Sequence, residues 1–127
     1  MKKTRSSIGV LCAAAIMALA TTANSQTAAN YPNKAVRVIL PYGGGGGADT
    51  ITRLFADAMS KDLGQPFVVE NRPGGNTIIA TQAVVRSAPD GHTLLMVTAT
   101  LMVNHWTQPN LPYDTLKDLM AVSTLIR

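Results

Sequence analysis

The chain has 127 residues, 46% of them hydrophobic and 14% charged, with 11 basic against 7 acidic side chains and one cysteine. That length suits one small domain. Three of the basic residues (Lys2, Lys3 and Arg5) lie in an N-terminal segment with the pattern of an export signal, so the remainder is close to neutral. A near-neutral remainder with no Lys/Arg cluster interleaved with aromatics excludes an electrostatic nucleic-acid binder, and the lone Cys12 inside the leader leaves no disulfide, thiolate or cysteine-metal chemistry beyond it.

The leader pattern is a positive start, an apolar run from Ile8 to Ala20 too short to span a bilayer comfortably, and a small-residue segment. Ala23-Asn24-Ser25 fits the small-x-small cleavage rule, and Thr27-Ala28-Ala29 is a competing site. Residues 1–25 are therefore expected to be a signal peptide directing residues 26–127 to the periplasm. Gly9-Val10-Leu11 fits a lipoprotein signal poorly, so Cys12 reads as apolar filler.

After Tyr31-Pro32, which the proline restricts to an extended shape, the run Val36-Arg37-Val38-Ile39-Leu40 reads as a buried strand. Five glycines follow at 43–47, then Ala48-Asp49-Thr50, a helix start in which Asp49 or Thr50 is expected to cap the first turn. Ile51, Leu54, Phe55, Ala58 and Met59 recur at helical spacing and predict its buried face, and Gly64 ends it as a left-handed residue. Phe67-Val68-Val69-Glu70 predicts a second strand and residues 71–76 a turn-rich loop. A second helix is expected from near Thr77 to Arg86 or Ser87, with Ile79, Ala80, Ala83 and Val84 toward the sheet. Ala88-Pro89-Asp90-Gly91 reads as a turn and residues 93–98 as a third strand. Beyond it, residues 101–106 predict a short helix in which His105 and Trp106 serve packing. Asp114 is expected to cap another short helix through Leu119, and residues 120–126 to form a fourth strand.

The order strand-helix-strand-helix-strand, with near-continuous apolar strands, predicts an α/β fold with a parallel-type sheet and flanking helices. Ligands of such sheets bind beyond the carboxyl ends of the strands. Three loops fall there. The first supplies Tyr42, Gly43, Gly45, Gly46, Gly47 and Asp49 as candidate binding residues; the second supplies Gly75, Asn76 and Thr77; the third supplies Thr98 and Thr100. Bare N–H groups and the positive end of a helix dipole make the first loop a place for an anion. The plainer reading is that glycine only permits a tight strand-to-helix turn, although five in a row exceed what a turn needs.

No Gly-x-Ser-x-Gly elbow is present, and His92 and His105 do not stand at helix-face metal spacing, so no catalytic residue, metal or cofactor is expected. One enzyme reading stays open. Gly43, Gly45 and Ala48 satisfy Gly-x-Gly-x-x-Gly/Ala, and Glu70 ends the next strand about 20 residues on, the layout of a dinucleotide-binding unit. Against this oxidoreductase-fragment alternative stand Asp49, whose carboxylate would compete with a pyrophosphate for the helix end, and export away from nicotinamide cofactors. No Gly-Lys-Ser/Thr follows the glycines, which excludes a Walker loop.

At these loops the chain resembles the substrate-binding proteins of tripartite tricarboxylate transporters, also called the Bug family, over essentially all of residues 31–127. The resemblance rests on Tyr31-Pro32, the first strand running into the glycine loop, Asp49 with Arg53-Leu54, and Leu63-Gly64-Gln65-Pro66. It continues through Val69-Glu70-Asn71-Arg72-Pro73-Gly74, Ala88-Pro89-Asp90-Gly91 with Thr93-Leu94-Leu95, and Leu111-Pro112-Tyr113-Asp114. It implies a partial first lobe of a two-lobed periplasmic binding protein that captures small carboxylates or related organic anions and passes them to membrane permease subunits. The three loops would then hold ligand, and Arg72 would either brace its loop or touch the ligand. The sequence departs from the family in its uniform glycine run and in Ile78-Ile79, where small residues are common. Family members are also considerably longer, so residues 26–127 are expected to be an incomplete N-terminal lobe lacking the second lobe, a fragment or non-binding truncated copy of little activity alone.

Overall fold

The first strand, β1 (Val36–Leu40), lies at the centre of a three-stranded parallel sheet in the order β2-β1-β3, with β2 spanning Phe67–Asn71 and β3 spanning Thr93–Leu95. The computed structural model describes residues 31–125; the expected leader, 1–25, lies outside them. A central parallel strand is covered on both faces, which is why β1 reads as an almost unbroken apolar run. Val36, Val38, Ile39 and Leu40 are all buried, and Arg37 alone is exposed.

Alternation along the strands divides the core in two. Val36 and Val38 pack with Phe67 and with Ala56 of helix α1 (Gly47–Leu63), while Ile39 packs with Ala80 and Val84 of helix α2 (Ile78–Val85). A third helix, α3 (Thr100–Thr107), follows β3. The strand-helix-strand-helix-strand order and the parallel sheet thus match the sequence-based expectation.

The helix faces differ from it. In α1 the buried residues are Asp49, Thr52 and Ala56, with Ser60 below them; of the expected face Met59 does pack against the core, whereas Leu54 is 65% exposed and Ala58 is exposed. Side-chain hydrogen bonds at both ends set this rotation. Asp49 Oδ1 accepts from Asn71 Nδ2 at 2.9 Å at the sheet's carboxyl edge. At the other end Ser60 Oγ accepts the Phe67 N–H at 2.8 Å where β2 begins. Thr52 donates its hydroxyl to the Ala48 carbonyl at 2.6 Å, so it enters the core with its polar group satisfied. Apolar periodicity does not register a stripe made of Asp, Thr, Ala and Ser. In α2, Ala80, Thr81 and Val84 are buried but Ile79 is 54% exposed; this helix is apolar on every side, so its sequence singles out no face.

The ends of elements also shift. Helix α1 starts within the glycine run, with Gly46 rather than Asp49 or Thr50 at the N-cap, and ends as expected at Gly64, whose φ is +69°. β2 includes Asn71, paired with Leu40. β3 stops at Leu95 instead of reaching Thr98. Its last bond to the sheet runs from Met96 N to Ile39 O, and Pro41, having no N–H, cannot donate the next rung. Asp114 does cap, accepting from Leu116 N and Lys117 N, but over a single turn rather than a helix. The fourth strand is absent among the described residues: 120–125 are irregular and exposed. Trp106 is 79% exposed and meets the His105 ring edge-on at 5.0 Å, so it does not pack into the core.

Candidate functional site

All three loops named from the sequence come to the carboxyl edge of the sheet. In the first, only Gly45 has a positive φ, +83°, and so needs glycine for its backbone. A Cβ added at Gly43, Gly46 or Gly47 would meet nothing within 4 Å. Neither turn geometry nor internal packing accounts for the remaining glycines; they keep a bare backbone facing open space. Gly46 and Gly47 are the N-cap and first residue of α1, whose leading N–H groups have no partner within the helix.

Asp49 fixes this loop. Its carboxylate takes a two-pronged ion pair from Arg53, with Nε to Oδ2 and Nη2 to Oδ1 both at 3.0 Å. Oδ2 also accepts the Gly45 N–H at 2.9 Å, and Oδ1 accepts Asn71 Nδ2. The Arg53 guanidinium first, then the Gly45 N–H and the Asn71 amide, hold the carboxyl well below the usual carboxylate range. Asn71 completes the knot by accepting from Arg53 Nη2 at 2.8 Å and donating to the Tyr42 carbonyl at 2.9 Å. Asp49 is therefore brought to the edge, but every contact of its carboxylate braces the loop.

The second loop begins with a charge relay. Glu70 is held between Arg37, at 2.6 Å on Oε2, and Arg72, at 2.5 Å on Oε1. Hydrogen bonds from Arg37 and then Arg72 lower its pKa. The Arg72 N–H donates to the Leu40 carbonyl and its side chain to Glu70, contacts that brace the loop. With both carboxylate oxygens engaged, Glu70 is also poorly placed to receive a ribose. Then four consecutive residues take positive φ: Gly74 (+125°), Gly75 (+55°), Asn76 (+49°) and Thr77 (+74°). Two are not glycine, and one is β-branched, for which this backbone is a genuine outlier. Thr77 is buried, and Thr81 Oγ1 donates to its carbonyl at 2.9 Å.

The third loop is a chain of hydroxyls. Tyr42 Oη lies 2.7 Å from Thr98 Oγ1, which lies 3.1 Å from Thr100 Oγ1 at the start of α3. One turn further along α3, fully buried Asn104 reaches the second loop. Its Nδ2 donates to the Asn76 carbonyl at 2.5 Å and to Thr77 Oγ1 at 3.2 Å, while its Oδ1 accepts from Asn76 Nδ2 at 2.5 Å. The three loops are thus joined in a ring through Tyr42–Thr98, Asn104–Asn76 and Asn71–Tyr42.

The sequence placed Tyr42, Asn76, Thr77, Thr98 and Thr100 at this edge, and Asn71 as the start of the second loop without a bonding role, but did not bring out Arg53 or Asn104 there. The available signal was an amide where an apolar residue belongs: Asn71 closes a strand, and Asn104 interrupts Leu101-Met102-Val103. Among the described residues no three His, Cys, Asp or Glu side chains gather in a way that could hold a metal ion.

Comparison with known proteins gives the arrangement a context. The family model described as tripartite tricarboxylate transporter family receptor (TctC) matches residues 51–127. The chain is 38% identical over 118 residues to Protein BugT of Bordetella pertussis, covering 91% of this chain and 35% of BugT. Among solved structures it is similar to a periplasmic transporter, with 44% identity, a TM-score of 0.63, and coverage of 68% of this chain and 30% of that one. It is also similar to MatC of Rhodopseudomonas palustris, solved with bound malate, with 36% identity, a TM-score of 0.58, and coverage of 69% of this chain and 30% of MatC. A further R. palustris protein, solved with adipate, is 31% identical with a TM-score of 0.63, over 68% of this chain and 29% of that one. The chain spans about a third of the length of the curated relatives it matches, and its parallel sheet with flanking helices is part of a lobe of the periplasmic binding protein fold. Together these matches favour the receptor reading over the dinucleotide alternative, and the chain belongs to the tripartite tricarboxylate transporter receptor family.

Proposed function

We propose that this chain carries ligand-holding loops of an exported receptor that captures small organic carboxylates, without catalysis, for the permease subunits of a tripartite tricarboxylate-type transporter. The observation that carries the reading is the convergence, at one sheet edge, of a bare glycine loop opening a helix with a turn of four positive-φ residues. In this reading both turn backbone N–H groups toward that edge, the donors suited to a carboxylate. Malate and adipate, found in two similar structures, are small dicarboxylates of the class such donors take.

Within this reading the N–H groups of Gly46 and Gly47 receive the anion at the N-terminus of α1, and Gly43 leaves room for its approach. The turn holding Gly75, Asn76 and Thr77 supplies the opposing donors. Gly45 acts differently, because its N–H is engaged by Asp49; both shape the loop rather than touch ligand. Tyr42, Thr98 and Thr100 share two hydrogen bonds among three hydroxyls, which leaves one hydroxyl proton for a ligand oxygen. Export rests on the leader pattern at residues 1–25, and no helix among the described residues is long and apolar enough to cross a membrane.

The test is a thermal unfolding scan of the chain with and without millimolar di- and tricarboxylates, malate and adipate included. A ligand that binds the folded state raises the midpoint, so a rise with at least one of them is expected. An unchanged midpoint across the panel overturns the reading for this chain.

A further inference from the structure

We propose that Asn104 is the positioning residue of the ligand edge: from helix α3, outside the second loop, it forces residues 74–77 into the left-handed shape that aims their N–H groups. The inference deepens the proposed function and rests on that reading of the edge.

A left-handed backbone is unfavourable for residues with a side chain, most of all for a β-branched one. Asn76 at φ +49° and Thr77 at φ +74° hold it in succession, so surrounding structure must over-determine the turn. Gly74 and Gly75 permit the shape but do not impose it, since glycine accepts many others. The Thr81–Thr77 hydrogen bond is local to α2. Ile79 packs against Gly74 and Gly75, and the Ile78 N–H bonds to the Gly75 carbonyl, but both belong to α2 as well. The restraint from another element that grips Asn76 and Thr77 is Asn104. It is 0% exposed, and its side chain bonds to this turn, twice with Asn76 and once with Thr77. Asn104 holds Asn76 at two points, accepting from its side-chain amide and donating to its backbone carbonyl, which fixes direction as well as distance. A buried amide cannot exchange these bonds for water, which makes the clamp rigid. Because α3 also begins at Thr100, whose hydroxyl continues the chain to Thr98 and Tyr42, the same helix ties the turn to the other two loops.

The experiment compares the chain with its Asn104→Ala and Asn104→Asp variants by NMR and by titration with malate and adipate. Positive φ brings a residue's own Hα and amide proton close, so Asn76 and Thr77 are expected to give strong intraresidue NOEs in the unaltered chain. Asn104→Ala is expected to abolish both and to weaken dicarboxylate binding roughly tenfold, the scale for losing one buried hydrogen-bonding group. Asn104→Asp is nearly isosteric, keeps the acceptor for Asn76 and loses both donations; a partial loss is expected, and this variant decides if Asn104→Ala does not fold. Persistence of both NOEs in the variants overturns the proposal. The NOEs need no ligand: an unaltered chain that binds neither dicarboxylate counts against the proposed function, while the NOEs still decide for or against Asn104.

Discussion

The loops after β1 and after β2 reach the same sheet edge and do so by opposite means. The glycine loop is exposed and nearly free of steric demand; one positive-φ glycine and an ion pair centred on Asp49 define it. The turn at 74–77 is forced, with two non-glycine residues in a left-handed backbone against a fully buried amide. One is shaped by permission and a charged anchor, the other by strain and a neutral anchor. One sheet edge can thus be built from unlike parts, and perturbations of each should differ in kind.

The largest expected effect comes where the two loops share an anchor. Asn71 donates to the Tyr42 carbonyl and to Asp49 and accepts from Arg53, at the end of the strand that leads into the second loop. Asn71→Ala leaves several part-buried groups without partners and is expected to destabilise the chain by about 2–3 kcal/mol, on the scale of unsatisfied buried polar groups. Chemical denaturation measures it. A loss no larger than that of an exposed substitution would show that the loops do not depend on this knot.

That anchor also shows which parts of the molecule were legible in the sequence. The order of strands and helices was, because a strand covered on both faces must be apolar almost throughout, as 36–40 is. The three loops were, because glycine and short polar side chains mark the end of each strand. The docking face of α1 was not: Asp49, Thr52, Ala56 and Ser60 lie on the sheet through polar bonds that apolar periodicity cannot register, so Leu54 seemed buried and is exposed. The early end of β3 follows from Pro41, just past the end of the neighbouring strand, a pairing no local reading contains. Asn104 lay hidden for the same reason, since its partners are 27 and 28 residues away.

The glycine run offers a sharper division inside one loop. Gly45→Ala forces a side chain into positive φ and is expected to cost about 1–2 kcal/mol. Gly43→Ala and Gly46→Ala have open space and negative or extended backbones, and are expected to be neutral or to stabilise by about 0.4–1 kcal/mol through a less flexible unfolded chain. If Gly43 and Gly46 serve the ligand, these variants keep or gain stability while losing dicarboxylate affinity. A midpoint that falls equally at all three positions would mean that the run serves packing.

Thr77→Gly is the corresponding change in the strained loop. It relieves a left-handed β-branched residue, a gain of about 1–2 kcal/mol, but removes the hydroxyl that Asn104 meets at 3.2 Å, about 1 kcal/mol in the other direction. A small net stabilisation is expected. Clear destabilisation would show that the hydroxyl, not the backbone strain, governs this turn.

Acid should separate the two anchors while changing overall stability least, because Arg53 is half-exposed and its pairing with Asp49 is screened by solvent. Asp49 has a folded pKa below its unfolded value of 3.8, through Arg53 first and then the Gly45 N–H and Asn71. A depressed carboxyl contributes stability that is fully present above the unfolded pKa and is lost as pH falls through the folded one. Near neutrality, therefore, nothing changes. As pH drops below about 4, the usual range for an aspartic carboxyl, the glycine loop should begin to loosen. Asp90, brought down to about 2 by the His92 N–H and by Lys34, should release its turn in the same window. The amide clasp between Asn76 and Asn104 carries no titratable group. Amide hydrogen exchange at pH 3 against pH 6, corrected for intrinsic rates, is expected to show lost protection at Gly45 with protection retained at Ile78, whose N–H donates to the Gly75 carbonyl. Equal loss in both loops would mean that the anchors are not independent, and that the ring through Tyr42, Thr98 and Asn104 transmits the change.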